Sequence, residues 1–407
     1  MKYPLQSIAL FSFAILVLSC SHKDPTPDTS PYLYIHSGKF QDNELEKWII
    51  VTNGNEELVG YKKIDPTSDE TVLTQRSASI KDKINIYKIY FYSSNAMEIK
   101  AVLGVDPGEH CYLGSKVTSA SKDLNANLYK IPIKSRITPG SGSFGLEQRG
   151  FNSDGTIDSA KINFLAWESI SVHPLTVYTR AAPKYVNVNY SSTGVSKFNY
   201  PGDFLNFDHV IDVPTGKTPV TVITSGTKGG FQIYFTSLLY PDDMDRVDAN
   251  QSVKLCYNNG YDSYSTWYLL DNNSGYSKNG GIPSSTSRFM IPNRSIVVNN
   301  HDLFSFAATI PVEIDYRTSG YSYSEVVGSK TKSYSLSITV DVTRSDAFDL
   351  KLPNEFVTAH GSSDFTKYNH TGTTFYEFEN DEKYSNAVDN LFAVPGNSVG
   401  QYYYYVN

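Results

Sequence analysis

A chain of 407 residues, 40% hydrophobic and 14% aromatic, can bury a sizeable core and is not a disordered polymer. Its formal net charge of −7 argues against a nucleic-acid binder, which would usually show a basic face. Tyrosine occurs 31 times, interspersed with Asn, Ser, Thr and Gly, which favours pleated, half-buried β-surfaces over helices.

The chain opens with Lys2 and an apolar run from Ile8 to Leu18. A bilayer-spanning helix needs about 20 apolar residues, so this run is too short, and residues 1–19 read as a signal peptide. Val17-Leu18-Ser19-Cys20 then resembles the lipobox of bacterial lipoproteins: an aliphatic residue, a tolerant position, a small residue and a cysteine. The resemblance implies cleavage before Cys20, lipid attachment at its thiol, and a chain anchored to a membrane from outside the cytoplasm. No aspartate follows Cys20, and Lys23-Asp24 is similar to a short form of the charged export signal of Bacteroidetes-type lipoproteins. That similarity implies the outer membrane, with surface display as a further step. Residues 20–31, polar and proline-rich, read as a flexible tether. The resemblance ends there, and the mature chain resembles no named family.

From Tyr32 onward, period-2 alternation dominates in short segments separated by Gly, Asn, Asp, Ser or Pro. Ile84–Tyr92 is the clearest. Further strands are predicted at Trp48–Val51, Leu58–Ile64, Ala96–Leu103, Leu128–Ile133, Lys161–Leu165, Leu175–Thr179, Tyr185–Tyr190, Val220–Thr224, Phe231–Leu239, Ile310–Tyr316 and Tyr334–Val342. One helix is predicted over Asp381–Phe392, where Tyr384, Ala387, Val388, Leu391 and Phe392 recur at helical spacing. The fold class is therefore all-β. The expected arrangement is two tandem β-sandwich (Ig-like) domains over 32–182 and 183–349, divided near Ala181-Ala182-Pro183, with a C-terminal segment 350–407 carrying the helix.

Motifs that carry chemistry are few. Asn152-Ser153-Asp154-Gly155 fits the middle of a calcium loop, but Gly150 and Lys161 stand where the first and last ligands belong, so a polar turn is expected. The acidic run Asp242–Asp248 contains Arg246 and reads as a solvated loop. Gly216-Lys217-Thr218 lacks the earlier glycine of a P-loop, and Gly140–Gly145 misses the nucleophile elbow. Glu377 and Glu379 share one strand face, as a carboxylate pair would, yet their alternation with aromatic residues reads as the wet face of a sheet. The eight histidines form no metal motif, so neither a metal nor a cofactor is expected. Cys111 and Cys256 read as buried free thiols, with a disulfide between them the alternative.

The segment 257–268 interleaves rings with amides and hydroxyls, as binding surfaces do. Tyr257, Tyr261, Tyr264, Trp267 and Tyr268 are the candidate ligand-binding residues; the competing reading is ring packing across a hairpin. Tyr402–Tyr405 reads as a last strand. The expected function is a lipid-anchored envelope protein that binds a glycan, peptide or partner protein without catalysis. The alternatives are a lipid-anchored polysaccharide hydrolase and a structural subunit of the fimbrillin kind.

Overall fold

The computed structural model describes residues 29–36, 43–65, 67, 70–76, 83–113, 120–133, 135–140, 144–179, 182–214, 219–239, 252–270, 273–283, 291–342, 348, 350–379, 384–392 and 400–406. The chain opens with β1 (Thr29–His36), β2 (Glu44–Asn53), β3 (Leu58–Lys63), β4 (Glu70–Arg76), β5 (Ile84–Tyr92), β6 (Ala96–Val105) and β7 (Glu109–Tyr112). It continues through β8 (Ser121–Pro132), β9 (Arg136–Pro139), β10 (Phe144–Phe151), β11 (Thr156–Trp167), β12 (Val172–Tyr178), β13 (Lys184–Asn189), β14 (Val195–Asn199) and β15 (Leu205–Asn206). Next come β16 (His209–Pro214), β17 (Pro219–Lys228), β18 (Phe231–Leu239), β19 (Ser252–Tyr257), β20 (Ser263–Leu270), β21 (Ser274–Gly280), β22 (Val297–Asn300), β23 (Ala307–Thr309), β24 (Tyr316–Val327) and β25 (Lys330–Asp341). Helix α1 (Asn354–His360), β26 (Asn369–Phe378), helix α2 (Tyr384–Leu391) and β27 (Gly400–Val406) complete it. The all-β expectation holds, and α2 falls inside the predicted helix; α1 was not anticipated.

Twelve strands form one sheet in the order β18-β17-β20-β21-β27-β26-β24-β25-β6-β5-β2-β3. All its pairings are antiparallel except β25 with β6, which runs parallel from Ala96↔Ser333 to Val102↔Thr339. That seam joins the early hairpins directly to the late ones. Two four-stranded sheets, β10-β11-β8-β14 and β15-β13-β12-β9, enclose a separate core of Leu124, Leu128, Ile162, Phe164, Leu175 and Val188. The boundary expected at 182–183 falls inside this unit. Strands β12 and β13, on either side of it, pair from Val172↔Asn189 to Val177↔Lys184, so hydrogen bonds bridge the proposed division. A short loop between two strand-like runs is equally the signature of a hairpin, which is what forms here.

Both faces of the large sheet are covered at its β5 end. Trp48, Tyr87, Ile89 and Ile99 pack under Phe348, Leu350 and Phe356. Ile49, Ile84, Ile86 and Val102 pack under the three-stranded layer β4-β1-β7 and under Val388 and Phe392. Burial on both faces submerges Lys88 within β5; its ammonium donates to the Leu391 carbonyl at the end of α2 (3.2 Å) and lies 5.0 Å from the Phe392 ring. Burial lowers the Lys88 pKa. At the far end, Val222, Phe235, Tyr268 and Tyr276 pack with Val253, Leu255 and Tyr257. Cys111 and Cys256 are both buried and free.

Candidate functional site

Of the two readings of the 257–268 segment, rings offered to a ligand and rings packed across a hairpin, burial favours the second. Tyr257 and Tyr268 are 0% and 1% exposed and belong to the core; Tyr257 shares a hydrogen bond with the Thr266 hydroxyl at 2.6 Å. Tyr261, Tyr264 and Trp267 are half-buried. The Tyr261 ring fills the space over Gly226, where a Cβ would lie 2.6 Å from it, and meets Phe235 edge-on at 4.9 Å. Tyr264 donates to the Asn258 carbonyl, and Trp267 lies parallel to Tyr403 at 6.5 Å. These side chains pack across strands, and Tyr257 and Tyr268 are closed off from solvent.

Other sequence candidates also have structural roles. Residues 152–156 turn β10 into β11: Asn152 N–H donates to the Thr156 carbonyl, Gly155 adopts φ 81°, and Asp154 accepts from the Thr156 backbone and hydroxyl. Glu377 is not on a wet face. It receives a two-pronged bond from Arg294 (2.8 and 2.7 Å) and the Tyr404 hydroxyl at 3.1 Å. Glu379 is met by Lys278 and the Tyr276 hydroxyl. The run Asp242–Asp248, residues 215–218 and Cys20 lie outside the described residues. No group of three or more His, Cys, Asp or Glu side chains that could hold a metal ion occurs among the described residues.

The arrangement best suited to a ligand was not foreseen. The β6–β25 seam sets Met97 beside Tyr334 and so brings the ends of two hairpins together. Between them and α1 lies a cleft of about 590 Å³, open to solvent. Strands β24 and β25 contribute Tyr323 and Tyr334, opposite one another in register, with rings parallel at 4.4 Å. Strand β5 contributes Phe91, on which the His360 ring lies parallel at 4.1 Å. Helix α1 is held there by Phe356, edge-on to Trp48 at 5.5 Å, and Gly361 (φ 84°) turns the chain away after His360.

Polar groups ring these faces. Glu46 accepts from Lys63 (2.8 Å), His360 (2.7 Å) and the Trp48 indole. Burial works against its charge, but these donors outweigh it and hold the carboxyl below its ordinary pKa. Asp364 is also held low, by the hydroxyl and backbone of Thr366. Glu325 accepts from the Tyr334 hydroxyl at 2.9 Å. Burial, aided by this carboxylate, raises the Tyr334 pKa. Flat faces beside fixed hydrogen-bond acceptors can stack a ring-shaped polyol and bind its hydroxyls.

A sequence signal for this cleft existed in the alternation of Tyr321, Tyr323 and Tyr334 with serines, but nothing local reveals that β25 lies beside β6. No protein-family model matches this chain, and no curated protein is similar to it.

Proposed function

We propose that this chain is a lipid-anchored envelope protein that binds an uncharged glycan in the cleft between β5, β24–β25 and α1. The observation that carries the reading is the parallel Tyr323–Tyr334 pair near the Phe91–His360 pair, with Glu46, Glu325 and Asp364 around one cavity. Saturated sugar rings present C–H faces to aromatic rings and hydroxyls to carboxylates, so this set of groups fits that ligand class. The lipobox-like Val17–Cys20 supports anchoring at the outer membrane through Cys20, and the 20–31 tether gives the folded part reach from the lipid.

Affinity electrophoresis and calorimetry against a panel of neutral oligosaccharides test the binding. At least one is expected to bind, and the double substitution Tyr323→Ala and Tyr334→Ala is expected to weaken it at least about tenfold, as loss of two stacking faces predicts. Binding unchanged in the double variant, or no binding across the panel, would overturn the reading. Fatty-acid labelling of the wild type but not of Cys20→Ser tests the anchor separately.

A further inference from the structure

We propose that His36 and His110 form a two-coordinate site for a soft monovalent metal ion, Cu(I) or Ag(I). The two residues lie on neighbouring parallel strands, β1 and β7, where Tyr34 is opposite His110 and His36 is opposite Tyr112. Nε2 of His36 is 2.7 Å from Nδ1 of His110. The ring centres are 5.0 Å apart and the planes differ by 8°. An imidazole nitrogen sits about 1.1 Å from its ring centre, so these distances place both nitrogens on the line joining the centres. The rings are therefore coplanar and meet edge to edge, one nitrogen donating its proton to the lone pair of the other.

That geometry selects an ion. Two donor axes directed at one another along a line match the linear coordination of filled-shell monovalent ions. Tetrahedral Zn(II) and square-planar Cu(II) need donors converging from different directions and more of them. The described residues offer no group of three or more acidic, histidine or cysteine side chains for such an ion. Metal–imidazole bonds of about 2 Å each put the nitrogens about 4 Å apart, so the rings must part by roughly 1 Å.

The flanking tyrosines allow this. Tyr34 lies parallel to His110 at 4.5 Å and 5°, and Tyr112 lies parallel to His36 at 4.3 Å and 15°. Each imidazole can slide within its own plane and stay against its tyrosine. His110 is exposed and His36 half-buried, so an ion can reach the pair. On binding, the proton of the internal hydrogen bond moves to the far nitrogen of its own ring, and the neutral pair takes up the cation without losing a proton.

The test uses the full chain labelled with 15N-histidine and titrated with Ag(I), with Cu(I) added by competition with a chromophoric chelator. The His36 Nε2 and His110 Nδ1 resonances are expected to move together and saturate at one ion per pair, a readout that silver on thiols does not produce. His36→Gln and His110→Gln should each weaken this binding at least about tenfold, and Tyr34→Phe should retain it. Silver should raise the melting temperature of the wild type and of Tyr34→Phe but not of His110→Gln, because the ion clamps β1 to β7. Imidazole signals unmoved by either ion, wild-type affinity in either glutamine variant, or Zn(II) shifting the pair as strongly as Ag(I) would overturn the proposal.

Discussion

Two regions of the twelve-stranded sheet use the same residue type in opposite ways. Around β20, β21 and β27, Tyr268, Tyr276 and Tyr402 are interior side chains packed ring against ring, with Tyr257 of β19 buried against them. Around β24 and β25, Tyr323 and Tyr334 sit half-exposed at the rim of an open cleft. Strands β20, β24 and β25 all interleave tyrosine with serine or threonine, so these strands do not differ in kind. The difference lies in what covers them: β16 and β19 close over the first group, whereas α1 stops at His360 and leaves the second open.

The sharpest test of this comparison is a matched pair of truncations. Tyr257→Ala should cost about 3–5 kcal/mol of stability, since a fully buried ring and its bond to Thr266 are lost. Tyr323→Ala should cost about 1 kcal/mol or less while weakening ligand capture. Equal losses in urea denaturation would show that the two regions are not distinct. Next in size is Arg294→Ala, which strips the bidentate partner from a Glu377 carboxylate only 12% exposed. A cost of about 1–3 kcal/mol is expected, below the figure for a fully buried pair because Arg294 reaches solvent. A ΔΔG near zero would make that pair a surface ornament.

A smaller effect is pH-dependent. The folded Glu46 carboxyl lies below its ordinary value of 4.5, so it holds fewer protons than the unfolded chain between the two values. Its contribution is complete above pH 4.5 and is lost as pH falls through the lowered value. Compared with Glu46→Gln, the wild type should be more stable at pH 7 by about 1 kcal/mol or less. That margin should vanish in strong acid; a margin that grew on acidification would reverse the sign assigned here. The smallest signal is an absence of reaction. In a Cys20→Ser chain, thiol reagents should leave Cys111 and Cys256 untouched until denaturant is added, because burial raises both pKa values, that of Cys256 to about 12. Rapid native-state labelling of either would show that the layer carrying it opens.

Local alternation fixed several strands well. The predicted Ile84–Tyr92 and Phe231–Leu239 coincide with β5 and β18, and the helical spacing after Tyr384 gave α2. It failed at Ile310–Tyr316, where β24 starts only at Tyr316: Pro311 introduces a turn closed by Ile314 N–H, and Val312 is 95% exposed. Helix α1 is too short to display a helical period, and it follows Pro353. Lys88 in β5 is buried because α2, distant in sequence, covers it. The cleft was illegible for the same reason: its rings are recruited by strand adjacency, which a period-2 pattern does not encode. The aromatic run 257–268 was visible, but ring density alone does not separate a platform from a core.

The parallel seam between β6 and β25 has a consequence for how the molecule is made. Ala96 must wait for Ser333 before its flank is satisfied, and pairings so remote in sequence form late and slowly. A newborn chain emerging amino end first therefore holds a bare strand margin, a template for coupling with its siblings, until most of the polypeptide has arrived. Dilution or an escort during biogenesis should raise the recovered yield more than any single core substitution does.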